Sequence, residues 1–100
     1  MGPQQFQVTY LQHAKDLFRR TIQQATAAGL RAEAIRAAQA IERGLLWCPE
    51  DLGEFRGTLR LLGELRWVAI LPVSAWFAVH RERRQVWVSR FRFVPPHPRG

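Results

Sequence analysis

Apolar and polar positions alternate through Phe6-Gln7-Val8-Thr9-Tyr10, and this period of two predicts a short strand. From Leu11 the period lengthens. Leu11, Ala14, Leu17, Phe18, Ile22 and Ala25 recur at spacings of three and four, which places them on one face of a helix. Lys15, Asp16, Arg19, Arg20, Gln23 and Gln24 fill the other face, and Gly29 can end the helix in a left-handed conformation. A second helix is predicted from about Leu30 to Arg43. Its alanines favour helix intrinsically, and Ala34, Ile35, Ala38, Ile41 and Leu45 supply an apolar stripe. With so short a link, the two helices fold back as an antiparallel hairpin.

Leu46 to Gly57 contains Pro, Gly and acids and reads as an extended connection, pinned over the core by Trp47, Leu52 and Phe55. Thr58 to Leu62 adds a short strand or leads into the next element, with Gly63-Glu64 as a turn. Leu65 to Leu71, Val73 to His80 and Gln85 to Phe93 are dense in Val, Ile, Trp and Phe, the side chains that suit a pleated surface. The links at Leu71-Pro72 and Arg81 to Arg84 are too short for a parallel crossover, so the three runs form an antiparallel meander. The first strand is expected to join this sheet at an edge.

Helices grouped before strands imply a two-layer α+β fold: an N-terminal short strand and a helical hairpin packed on one face of an antiparallel β-meander. The other face is left free. One hundred residues suit a single domain spanning 1–100, with residues 1–5 and 95–100 expected to be mobile ends. No apolar run approaches the ~18 residues of a membrane helix, and Met1 to Gln5 lacks a secretory pattern. A cytoplasmic protein that does not engage a membrane is the expectation.

Charge changes this picture. The formal net charge is +7, and the excess is uneven: residues 51–100 carry nine Arg against four acids, whereas residues 1–50 carry five Arg and one Lys against four. A basic surplus attracts polyanions and supplies affinity through counterion release. On strict alternation, Trp87, Ser89, Phe91 and Phe93 form the core face of the last strand. Val86, Val88, Arg90, Arg92 and Val94 form the other, with Arg90 and Arg92 about 7 Å apart, a spacing that suits successive phosphates. Arg66 shares a face with Val68 and Ile70 and extends the patch, and Arg60 joins it as a further nucleic-acid-binding candidate. Trp67 and Trp76 read as core residues.

Other chemistry finds little support. Cys48 is the only cysteine and reads as a buried or half-buried structural thiol. His13, His80 and His97 lie far apart without ligand spacing, so neither a metal nor a cofactor is expected, and no small-molecule substrate is implied. His80 reads as a turn residue. No nucleophile or phosphate-loop motif is present, so any catalysis rests on Arg stabilising a phosphoryl transition state.

The order of elements is similar to that of the RelE/ParE toxins of bacterial type II toxin-antitoxin systems. The likeness is carried by Val8-Thr9-Tyr10, the alanine-rich hairpin and the segment from Trp76 to Arg90 with its charged turn Arg81-Glu82-Arg83-Arg84. It implies neutralisation by a cognate small antitoxin. It also implies one of two targets: messenger RNA cut on the ribosome, as in RelE-type endoribonucleases, or DNA gyrase, as in ParE-type members. Arg90 and Arg92 fall near the family's last-strand Arg and are its catalytic candidates here, and His97 could stand in for a terminal acid-base group. The sequence departs from the RelE pattern in three places. Ser74-Ala75-Trp76 stands where an Arg is usual, Trp67 to Ile70 lacks a basic pair, and the terminal Tyr is missing. A non-catalytic module of the same fold, binding nucleic acid or a protein partner, is the alternative.

Overall fold

A computed structural model describes residues 4–95. His97 and most of the two ends read as mobile lie outside the described residues. In chain order the elements are β1 (Gln7–Tyr10), α1 (Gln12–Ala27), α2 (Arg31–Trp47), a 3-10 turn (Pro49–Asp51), β2 (Glu54–Leu59), β3 (Gly63–Ile70), β4 (Val73–His80) and β5 (Gln85–Phe93). The architecture is α+β, two helices packed against a five-stranded sheet of order β1-β5-β4-β3-β2. β2 to β5 are antiparallel neighbours. β1 pairs in parallel with β5, so the sheet is mixed rather than wholly antiparallel.

The helices form because their apolar faces match one side of the sheet. Ala14 and Ala25 of α1 and Ala34, Ala37, Ile41 and Leu45 of α2 are buried, against Val68, Val73, Ala75, Phe77, Val79, Val86, Val88 and Phe91. Alanine at four of these helical positions lets the backbones approach the sheet closely. Thr21 is polar yet buried, and its hydroxyl donates to the Leu17 carbonyl at 2.8 Å, which satisfies it within its own helix. α1 lies mainly over β5, and α2 leans on β3 and β4.

Further expectations need correction. α2 runs on to Trp47, beyond the expected end at Arg43, so Trp47 finishes the helix with 46% of its surface exposed. Phe55 is 56% exposed and Cys48 is exposed too; of the expected anchors only Leu52 packs on the core, against Gly44 of α2. The stretch read as a connection contains strand β2, with Arg56 as an extra residue between Phe55 and Gly57. The last correction concerns β5 and decides which side chains reach the free face.

Candidate nucleic-acid interface

In β5, Phe77 pairs with Val88 but Trp76 pairs with Arg90, so Ser89 is an extra residue in the ladder. A bulge of this kind breaks strict alternation. Val86 and Val88 before it, and Phe91 and Phe93 after it, all turn toward the helices. Trp87, Arg90 and Arg92 turn away from them. The strictly alternating assignment is thereby overturned: Trp87 leaves the core, and Val86 and Val88 enter it. The Ser89 hydroxyl donates to the Trp76 carbonyl at 3.3 Å and ties the bulge to β4.

The helix-free face can be assembled from the register. Trp67 on β3 is directly opposite Trp76 on β4, Trp76 is opposite Arg90 on β5, and Ser74 is opposite Arg92. Ala78 sits in register between Leu65 and Trp87, which leaves the alanine 4% exposed although no helix covers it. Trp67, Trp76 and Trp87 are half-buried on this face, not core residues as the sequence suggests. The core preference of large aromatics gave way because Val68, Val73, Ala75 and Phe77 already fill the space beneath the helices.

Arg90 and Arg92 are exposed, and among the described residues neither makes a side-chain hydrogen bond or an ion pair. They remain on one face, as the sequence suggests. Arg56 is differently placed: its guanidinium lies 5.3 Å from the Trp67 ring centroid and bridges Glu54 at 3.0 Å. Glu54 is in register with Trp67, so the carboxylate facing that tryptophan is already paired.

Arg66 does not share this surface. It is 8% exposed on the helix side of β3, in register with Phe77, where it donates to the carbonyls of Leu52 at 3.0 Å and Gly53 at 3.1 Å. Glu64 lies 3.5 Å from it and also holds Arg81 at 2.8 Å. That hydrogen bond and charge push the Arg81 pKa up. Arg66 is thus a structural clamp on the entry to β2. The sequence had placed it with Val68 and Ile70, and that is the core face.

Arg60 is exposed in the turn between β2 and β3, roughly 20 Å along the strand direction from Arg92 and three strands across, so it does not join Arg90 and Arg92. His80 is half-buried at the end of β4, and its Nδ1 accepts the Arg83 backbone N–H at 3.3 Å, the arrangement of a turn residue. Arg84, with φ of 52°, closes that turn by donating to the Gln4 carbonyl at 2.7 Å and lying 4.6 Å over the Phe6 ring. Tyr10 faces the helix side, in register with Val88. Burial raises its pKa, with Glu42 adding to the effect. Among the described residues no group of three or more His, Cys, Asp or Glu could hold a metal ion, and no helix is long and apolar enough to cross a membrane.

Fold and site together define an α+β protein whose helix-free sheet face carries three tryptophans beside two arginines without side-chain partners among the described residues. No family model, no curated protein and no solved structure matches the chain.

Proposed function

We propose that the chain is the toxin of a type II toxin-antitoxin pair of the RelE/ParE kind, working on messenger RNA through the helix-free face of its sheet. The observation that carries this reading is the placement of Arg90 and Arg92, exposed and unpaired on the face that the helical hairpin leaves open. Two guanidiniums on alternate residues can hold successive phosphates in bidentate fashion. The same charges would stabilise a phosphoryl group during strand cleavage. A small antitoxin that covers this face or its rim would silence it, and the net charge of +7 suits an acidic partner.

Expression of the chain alone is expected to arrest growth, and co-expression of the adjacent small gene to relieve the arrest; normal growth at confirmed expression refutes the reading. On translating ribosomes Arg90→Ala should abolish messenger cleavage, and full cleavage by that variant would remove Arg90 from the site.

A second reading is a binding module of the same fold without catalysis. It is favoured by what faces the two arginines: Trp76 and Ser74 are in register with them, while His80 lies at the far end of β4 and Tyr10 on the opposite face. No described proton-transfer group is in register with either arginine. Nucleic-acid binding without cleavage or toxicity selects this reading, and inhibition of supercoiling would point to gyrase instead.

A further inference from the structure

We infer that Trp76 and Trp87 form a stacking platform for single-stranded RNA on the helix-free face, beside a Trp67 whose ring is capped by Arg56, with Arg90 and Arg92 gripping the backbone. The inference rests on the nucleic-acid reading above and names the form of the ligand. A large aromatic side chain left on an open sheet face normally loses the burial that stabilises it. Here three of the four tryptophans take that position, although the opposite face has a closed core. Their arrangement is ordered. Trp67 and Trp76 are direct cross-strand partners, which sets their Cβ atoms about 5 Å apart. Trp87 is opposite Ala78, two residues along β4 from Trp76, a diagonal neighbour at about 7–8 Å.

The flanking residues argue for an unpaired strand of bases rather than a protein. Ala78 lies between Trp76 and Trp87, in register with the latter, and the small pair Ala69 and Ser74 borders Trp67 and Trp76 on the Arg92 side, while Leu65, in register with Ala78, closes the other side. The acid in register with Trp67, Glu54, is occupied by Arg56. The cations left free are Arg90, in register with Trp76, and Arg92 one pair further on. Base faces stack on indoles whatever the sequence, and a guanidinium row beside them tracks phosphates; a duplex hides those faces and offers only its backbone.

The test uses the full chain carrying Trp47→Phe, which removes the exposed indole at the end of α2 and leaves the tryptophans of the helix-free face as the fluorescent reporter. A 12-nucleotide oligo-U should quench the fluorescence and bind at least tenfold more tightly than an RNA duplex of equal length. Oligo-dT should follow oligo-U within a few-fold, since stacking does not read the 2′-hydroxyl. Trp76→Ala and Trp87→Ala should each weaken oligo-U about tenfold. Trp76→Phe and Trp87→Phe, which preserve a packed aromatic, should retain most of the binding and so separate loss of stacking from loss of fold. Equal binding of strand and duplex overturns the platform, as does unchanged oligo-U binding in both alanine variants. Growth arrest without preference for single strands would sink the platform and leave the toxin reading standing; single-strand preference without growth arrest would do the reverse.

Discussion

Ser89 donates its hydroxyl to the main-chain carbonyl of Trp76, 3.3 Å away on the neighbouring strand, and so fastens the one extra residue of β5. Everything that β5 presents after that point depends on the bulge being held. Ser89→Ala should cost about 1 kcal/mol of stability, the usual net worth of one such bond. Chemical denaturation would show it as a shift in midpoint with unchanged slope.

The two sides of β5 should differ in energy. Phe91 is 6% exposed beneath α1, in edge-to-face contact with Phe18 at 5.1 Å, so Phe91→Ala should cost about 3–5 kcal/mol. Trp87→Ala, on the open face, should cost less than half as much. Equal losses would mean that Trp87 belongs to the core after all.

Arg66 offers a contrast with the arginines at the surface. Its removal strands two carbonyls and loosens Glu64, and Arg66→Ala should destabilise by about 2–4 kcal/mol. Arg66→Lys should fall between, because one ammonium cannot span both carbonyls and the carboxylate. Arg90→Ala and Arg92→Ala should stay within about 0.5 kcal/mol of the parent. Their effect belongs in salt titrations of oligonucleotide binding, where each should reduce the log–log slope by about 0.7.

Alkaline pH should reveal Tyr10. Its folded pKa is raised above the ordinary 10.0, so below pH 10 both folded and unfolded chains keep the phenol protonated and its contribution to stability is intact. Above that pH the unfolded chain ionises first, and stability falls until the folded phenol ionises as well. Tyr10→Phe should flatten this alkaline decline in a series of melting temperatures taken from pH 9 upward.

Gly63 and Gly29 both have positive φ, 95° and 75°, but only Gly63 is hemmed in. A Cβ there would run into the Val79 carbonyl oxygen, whereas at Gly29 nothing lies within 4 Å. Gly63→Ala should therefore cost about 3 kcal/mol or more and Gly29→Ala about 1, as measured by thermal unfolding.

The helices, the three main strands and the edge position of β1 could be read from period and turn chemistry alone, because there local preference and burial agree. What misled was parity. Val86, Val88, Phe91 and Phe93 form one face only if an extra residue intervenes, and nothing in the identity of Ser89 announces a bulge. Glu54-Phe55-Arg56-Gly57 concealed β2 for a similar reason, an extra Arg56 and a glycine at φ of 152° interrupting its alternation. The tryptophans were assigned to the core by their type, yet the neighbouring valines had already filled it. Arg90 and Arg92 were placed together on one face because residues two apart on a strand share a face wherever the strand lies. Arg66 was correctly grouped with Val68 and Ile70, but that group was read as part of the basic face, whereas it faces the helices.

The parallel pairing of β1 with β5 also orders events in time. The first strand made has its partner in the last, from Gln7 beside Gln85 to Tyr10 beside Val88. While the chain is being synthesised, the hairpin of helices and the early strands can collapse, but the sheet cannot close on its β1 side. Arg90 and Arg92 lie on that same final strand. The sheet therefore gains its basic face only after β5 has been made and has docked between β4 and β1.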